Sequence, residues 1–394
     1  MKKLFALMMV LVLVVAVFAG CADTNTTPNT NDQQTGQNAP SDQNTNDTPA
    51  APENNDEQTP PVEEPSEPEE PETPAEPEEP AEPEEPTEPE EVPYEAVDIN
   101  AAVLKGPTGM GMAKLMEDAA NGTAANNYTF TVSSDTADVM AKVIAGEYQI
   151  AALPTNNAAI AFNKTQGGVK MAAINTLGTL YLLQNTATNE TLVSSVAELE
   201  GKTIVTFGQG ANPEYVLRHI LEQNGLTIGE NVNVEFKAAV DEVLALAASG
   251  QADFVMVPEP NATVVQNKNE AFKVAIDLNA AWEQLEGQLV MGCIVTTAKF
   301  AEEHPEAVAK FLEEYEASIK FALENTKDAA VLCAKHGIVP SEGIAMKSLP
   351  NCHLTLVAGA DMQAAVEGYY NVLFGYNPKA VGGAVPTEEF YFVS

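Results

Sequence analysis

A loop rich in glycine follows the first apolar segment of the folded part of the chain, with the sequence Lys105-Gly106-Pro107-Thr108-Gly109. Gly106 and Gly109 allow backbone N–H groups to approach a ligand, and Thr108 is placed to cap a helix. Lys105 would add a positive charge. The loop predicts a ligand contact; the alternative is that Thr108 only caps the helix and Lys105 points to solvent.

A second loop of this kind has the sequence Gly208-Gln209-Gly210-Ala211-Asn212-Pro213. Asn212 is a good capping residue and Pro213 suits the first helical turn, so a helix is expected to begin here. The third glycine of a dinucleotide-binding fingerprint is replaced by Pro213, which argues against NAD binding. We therefore expect a cradle of backbone amides at Gly210, with Gln209 as a side-chain donor.

Five further candidates lie at the ends of other predicted strands. They are Thr155, Asn156, Thr176, Gly178 and Glu259. Helix capping explains Thr155 and Asn156 equally well. Glu259 would either accept a hydrogen bond from an amine or ring N–H of a ligand or stabilise the helix that begins near Asn261. Trp282, Tyr181 and Phe207 are candidate stacking surfaces, with burial in the core as the alternative.

Enzymatic function is not expected. The sequence has no Gly-x-Ser-x-Gly, no His-Glu-x-x-His and no paired-carboxylate motif, and its four histidines fall away from the predicted strand ends. No catalytic residue and no cofactor is therefore predicted. The single arginine, Arg218, lies inside a predicted helix, where surface or interlobe pairing is expected. Small oxyanions are often bound by arginine forks, so a neutral organic solute is as plausible a ligand as an oxyanion.

The elements that must position these residues alternate between strands and helices, which indicates an α/β fold with parallel βαβ units. The pattern runs once from residue 96 and restarts near residue 195. One strand leaves the first unit near Thr179–Gln184 and another returns near Gln288–Thr296. We therefore predict two lobes joined by hinge strands, with lobe I formed by residues 96–183 and 289–394 and lobe II by residues 184–288.

The amino-terminal part of the chain has a different composition. The chain of 394 residues carries 57 acidic and 19 basic residues, and the stretch 22–95 contains no basic residue at all. Proline recurs at every third position from Pro65 to Pro89, mostly with glutamate between, which favours an extended polyproline II chain. We predict a disordered acidic linker over residues 21–95. The absence of a basic surface excludes nucleic-acid binding.

Residues 1–20 are typical of a secretory signal peptide, with Lys2 and Lys3 before an apolar run. The segment Phe18-Ala19-Gly20-Cys21 resembles the bacterial lipobox, which implies that Cys21 carries the lipid anchor. An ordinary signal peptide with an incidental cysteine is the alternative. The resemblance predicts an acylated protein, palmitate included, on the outer face of the bacterial cytoplasmic membrane.

Three segments resemble bacterial solute-binding proteins. They are Leu199-Glu200-Gly201-Lys202-Thr203-Ile204-Val205, the stretch from Gly250-Gln251-Ala252-Asp253 to Pro258-Glu259-Pro260, and Glu303-His304-Pro305-Glu306-Ala307-Val308. Their order and spacing are similar to the type II periplasmic-binding fold, and closest to its nitrate, sulfonate and thiamine-pyrimidine group. The resemblance implies a monomeric solute-binding lipoprotein that delivers a small organic solute or oxyanion to an ABC permease. A solute-sensing receptor that signals to a membrane partner is the alternative.

Three cysteines remain in the folded part. Cys333 and Cys352 flank a loop in an oxidising compartment, so a disulfide bond between them is predicted. Cys293, in the returning strand, is expected to be a buried apolar residue. A metal site built from Cys352 and His353 lacks the usual spacing of zinc ligands, and no metal is predicted.

Overall fold

The computed structural model describes residues 94–393. The predicted signal peptide, the lipid-bearing Cys21 and nearly all of the acidic linker lie outside the described residues. Eleven β-strands and thirteen α-helices are found within residues 94–393.

The strands are β1 (Asp98–Leu104), β2 (Asn127–Ser133), β3 (Ile150–Pro154), β4 (Val169–Thr176), β5 (Leu180–Asn185), β6 (Thr203–Phe207), β7 (Asn233–Lys237), β8 (Phe254–Pro258), β9 (Phe272–Asp277), β10 (Gly292–Thr297) and β11 (Leu354–Ala358). The helices are α1 (Pro107–Met110), α2 (Ala113–Ala120), α3 (Thr136–Ile144), α4 (Thr155–Thr165), α5 (Asn212–Gln223), α6 (Val240–Ala248), α7 (Asn261–Lys268), α8 (Leu278–Glu286), α9 (Ala298–Glu303), α10 (Pro305–Glu324), α11 (Thr326–Lys335), α12 (Glu342–Ser348) and α13 (Asp361–Tyr376). Four 3₁₀ turns complete the set: Val196–Leu199, Leu349–Asn351, Pro378–Val381 and Glu388–Phe390.

The strands form two sheets. The first has the order β11-β4-β10-β3-β1-β2 and the second the order β7-β6-β8-β5-β9. Strands joined by helices pair in parallel, as β1 does with β2 and β3, and β6 with β7 and β8. The strands next to the crossings, β5 and β10, pair antiparallel with their neighbours. This arrangement confirms the two-lobe α/β fold with hinge strands that the sequence predicts.

Two segments cross between the sheets. The first joins β4 to β5 and the second joins α8 to β10. The second segment is bonded to the end of β4, because the Met291 N–H donates to the Thr176 carbonyl at 3.0 Å. Strand β5 pairs over its whole length in the second sheet, so the first crossing is complete before Leu180. The lobe boundaries at residues 183 and 288 stay a prediction.

Buried apolar side chains form three clusters, which lie on the faces of the sheets. One cluster packs α2, α10 and α11 against the first sheet, and another packs α6 and α7 against the second. The largest includes α5 and α8 of the second lobe together with α13 of the first. Trp282, Tyr369 and Tyr370 are fully buried there, so Trp282 belongs to the core and not to a ligand site.

Two parts of the chain differ from the sequence prediction. The sequence pattern predicts one long helix from Lys299 to about Glu324. The structure divides it at His304, because Pro305 has no N–H with which to continue a helix and instead begins α10. The pattern also missed α8, α12 and the short strand β11. Asp277 and Ser341 cap the two missed helices through their side chains, a local signal that could have located both.

Candidate functional site

A cavity of about 410 Å³ lies between the two sheets, at the ends of their strands. The first lobe contributes residues that follow β1, β2 and β3 or end β4, and the second contributes residues that end β6 or begin α5. The lining residues are Pro107, Thr108, Thr136, Pro154, Asn156, Asn157, Thr176, Thr179, Phe207, Ala211, Asn212, Pro213 and Met291. None of these carries a charged side chain. The surface is therefore suited to a small solute held by apolar contact and a few neutral polar groups.

Asn212 and Met291 meet across the cavity from opposite lobes. The Asn212 side-chain amide donates to the Met291 Sδ at 3.3 Å. The Asn212 Oδ1 is buried and has no hydrogen-bond partner within residues 94–393, and the residue as a whole is 8% exposed. A buried carbonyl oxygen without a donor is unfavourable, so this group is ready to accept a hydrogen bond from a bound molecule.

The first wall of the cavity presents amides and the second an aromatic ring. Asn156 and Asn157 lie in the first turn of α4, whose amino terminus carries a partial positive charge. Phe207 ends β6 and is half-buried beside Asn212 in the cavity wall. The arrangement can therefore hold a planar or apolar group against Phe207 and polar groups against the amides.

Four of the twelve predicted ligand residues line this cavity: Thr108, Asn156, Thr176 and Asn212. Lys105 is exposed and does not line it. Gly106 is held by a bond from its N–H to the Ile338 carbonyl at 3.1 Å. Gly109 is buried and packs so closely on the end of β1 that an added Cβ would overlap the Leu104 carbonyl.

Two further predicted residues are buried beneath the cleft. Thr155 is fully buried; its N–H donates to the Met291 carbonyl at 3.2 Å and its carbonyl accepts from the Tyr370 hydroxyl at 2.9 Å. Gly178 lies in the first crossing, where its N–H donates to Asn279 Oδ1 at 3.0 Å. Both residues lie outside the cavity lining, and their hydrogen bonds hold the segments that form its wall.

The predicted amide cradle of the second loop is occupied by the chain itself. Gln209 and Gly210 are exposed and do not line the cavity. The Gly210 N–H donates to Glu214 Oε2 at 2.6 Å, so it is not free for a solute. Gly208 and Gly210 both have positive φ, which shapes the turn.

Glu259 stabilises a helix and joins the lobes. Its carboxylate accepts from the backbone N–H and the hydroxyl of Thr263, at 3.1 and 3.0 Å, and from the Asn351 side chain at 3.2 Å. The residue is 2% exposed, and burial raises the pKa of its carboxyl above the ordinary value, against the lowering effect of these hydrogen bonds. Of its two predicted roles, the structure therefore places it at the start of α7 and not in the cavity.

The sequence analysis missed several lining residues. Thr136, Asn157, Thr179 and Met291 lie outside every segment expected at the cleft, whereas Pro107, Pro154, Ala211 and Pro213 belong to such segments but were not named as contacts. Most lie one or two residues from a predicted contact, so the strand-end rule could have found them. No local sequence signal identifies Met291, because it lies before strand β10 and not after a strand. It reaches the cavity because the segment that joins α8 to β10 crosses between the sheets there.

The structure agrees with the prediction for Cys293 and differs from it for Cys333 and Cys352. Cys293, Cys333 and Cys352 are all buried free thiols, so the predicted disulfide bond is not formed in this structure. The Cys333 Sγ is directed at the Met110 carbonyl at 3.7 Å, and the Cys352 Sγ at the Ser348 carbonyl at 3.1 Å. No cluster of three or more His, Cys, Asp or Glu side chains suited to a metal ion is found within residues 94–393.

The two lobes, the hinge strands and the cavity between them define a two-lobed binding protein. The sequence profile described as NMT1/THI5 like matches residues 129–329, about half of the chain, and the protein belongs to this family. No curated protein matches the chain.

Solved structures share the fold. An ABC transporter protein from Parabacteroides distasonis is 24% identical, with a TM-score of 0.63 over 74% of this chain and 98% of its own. The periplasmic aliphatic sulphonate-binding protein SsuA from Escherichia coli is 16% identical, with a TM-score of 0.58 over 74% of this chain and 92% of its own. The ligand-binding component of an ABC-type import system from Staphylococcus aureus, with zinc bound, is 11% identical, with a TM-score of 0.56 over 76% and 97%.

These findings confirm the family resemblance and the type II periplasmic-binding fold predicted from three short segments. Two of these structures are described as ABC transporter or ABC-type import components and one as a periplasmic sulphonate-binding protein, and this chain shares their fold. Among the helices of residues 94–393, none combines the length and the apolar composition needed to cross a bilayer.

Proposed function

We propose that this protein is the lipid-anchored solute-binding component of an ABC importer. It captures a small organic solute or oxyanion between its lobes and delivers it to the permease. The observation that carries the proposal is the cavity of about 410 Å³, because both lobes contribute its walls and each wall presents polar groups at the ends of strands. We propose that the protein acts as a monomer.

Closure about the hinge explains how binding is coupled to delivery. Asn212 and Phe207 move with the second lobe, while Asn156 and Met291 belong to the first. A solute that bridges the two walls stabilises the closed form over the open form, and a permease that recognises the closed form then accepts only loaded protein. The same cleft would serve a solute sensor, and uptake of the identified solute by cells with and without the protein separates the two roles.

The first test identifies the solute and its place. The full-length protein is purified and analysed by native and denaturing mass spectrometry, together with Phe207→Ala and Phe236→Ala. Both phenylalanines are half-buried on neighbouring strands of the second sheet, but only Phe207 lines the cavity. We expect a stoichiometric small molecule in the wild type and Phe236→Ala and its loss in Phe207→Ala. Equal occupancy in all three proteins would place the solute elsewhere.

The proposed anchor has a separate test. Cys21→Ser removes the thiol that would carry the lipid, so the variant should leave the membrane fraction when cells are fractionated. Wild-type protein that is already found free of membranes would contradict the anchor without affecting the cleft.

A further inference from the structure

The amino terminus of α5 borders the cavity, yet most of its hydrogen-bond donors are used within the chain. The Gly210 N–H donates to Glu214 Oε2 at 2.6 Å, the Ala211 N–H to the Gly208 carbonyl at 3.0 Å and the Glu214 N–H to the Ala211 carbonyl at 3.1 Å. Pro213 has no N–H to offer. A helix amino terminus normally attracts anions through free N–H groups and its partial positive charge. Here a carboxylate of the chain already occupies that position.

The same carboxylate also holds the arginine. Glu214 is 8% exposed, and its second oxygen accepts from the Arg218 Nη2 at 2.7 Å. Arg218 is the single arginine of the chain. The guanidinium is the group best suited to bind an oxyanion through two parallel hydrogen bonds. In this protein it is directed at Glu214, one turn into the helix, and does not line the cavity.

A second and independent observation concerns the cavity wall. The buried Asn212 Oδ1 has no partner within the described residues, and it lies where α5 meets the cavity. A carbonyl oxygen attracts an N–H or O–H group and repels an anion. None of the lining side chains is positively charged to offset that repulsion.

We propose that Glu214 is a specificity-determining residue that excludes oxyanions, and that the cleft takes an uncharged solute with an N–H or O–H group for Asn212 Oδ1. This inference rests on the proposed function, which by itself admits either an organic solute or an oxyanion. Glu214 acts by accepting from the Gly210 N–H at the amino terminus of α5 and by holding Arg218, so its removal frees this N–H and the guanidinium for an anion.

Isothermal titration of the full-length protein with ethanesulfonate tests the inference. We expect no measurable binding of ethanesulfonate to the wild type. In Glu214→Ala we expect measurable binding, with a dissociation constant at least about tenfold below the weakest that the titration can detect. Glu222→Ala is the matched control, because Glu222 also lies near Arg218, at 3.9 Å, but makes no contact with Gly210; it should behave as the wild type. Glu214→Gln keeps the size of the side chain and an acceptor for Gly210 while it breaks the ion pair, so a smaller gain is expected.

The outcomes separate this inference from the proposed function. Binding of ethanesulfonate by the wild type would overturn the role of Glu214. It would remain consistent with the receptor function, and its measurement requires no substitution. Folded Glu214 variants that gain no affinity for ethanesulfonate would also overturn the role of Glu214. An uncharged solute found by native mass spectrometry would in that case still support the receptor function. A wild type that binds no small molecule of either kind would overturn both.

Discussion

Replacement of Asn212 by alanine separates a binding role from a structural one. The substitution removes the unpartnered Oδ1 from the cavity, together with the contact between Asn212 Nδ2 and Met291 Sδ at 3.3 Å. A neutral hydrogen bond contributes about 0.5–1.5 kcal/mol, so the affinity for the solute should fall about 2- to 10-fold. The free energy of unfolding should change by less than about 1 kcal/mol, because the lost oxygen makes no hydrogen bond within the described part of the chain.

The assay is isothermal titration with the solute that co-purifies with the wild type, followed by urea denaturation of each variant. Asn224→Ala is the matched control, because Asn224 lies at the other end of α5, away from the cavity, and its side chain donates to the Ile220 carbonyl at 2.8 Å. Asn212→Asp keeps an acceptor of the same shape, so a solute that donates to this position should bind it better than Asn212→Ala. Unchanged affinity in Asn212→Ala would refute the reasoning, as would equal losses of affinity in Asn212→Ala and Asn224→Ala.

Two other predictions follow from buried groups. Burial raises the pKa of the Glu259 carboxyl above the ordinary value of 4.5. Between these two pKa values the folded state keeps a proton that the unfolded chain has released. The free energy of unfolding should therefore fall as the pH rises from 4.5 through the raised pKa. Thermal denaturation at a series of pH values should show this slope in the wild type and a weaker one in Glu259→Gln; equal slopes would contradict it. Cys333 and Cys352 are buried thiols, and burial raises the pKa of Cys333 to about 12, so iodoacetamide should modify both only after unfolding without reductant. A linked pair of peptides that contain Cys333 and Cys352, lighter by two hydrogens than the sum of the two reduced peptides, would instead show a disulfide bond.

Local chemistry in the sequence predicts the elements well. Asn212 and Pro213 predict the start of helix α5. The apolar pattern predicts strands at residues 203–207 and 272–277, where β6 and β9 are found, because periodicity and turn residues act over a few positions. The two crossings are predicted from a strand that leaves the first unit near Thr179–Gln184 and a strand that returns near Gln288–Thr296. The three short segments that resemble solute-binding proteins then identified the family, which the profile over residues 129–329 confirms.

The sequence was less informative about which residues face the cavity. Gly178 and Thr155 lie at strand ends, where the rule for open α/β sheets places ligand contacts. Their N–H groups instead donate to Asn279 and Met291, which lie more than a hundred residues away in the chain. Gly210 looks like a free donor in sequence, and only the helical turn that follows brings the Glu214 carboxylate back to it.

The order of the elements, the two-lobe α/β class and the two loops that follow β1 and β6 were determined by the sequence itself, because each depends on neighbouring residues. The composition of the cleft was decided only by the tertiary structure. Asn212 and Met291 are 79 residues apart and meet because two crossing segments bring the sheets together. The direction of a side chain at the end of a strand depends on which distant partners satisfy its polar groups, and those partners are specified only when the whole chain is folded.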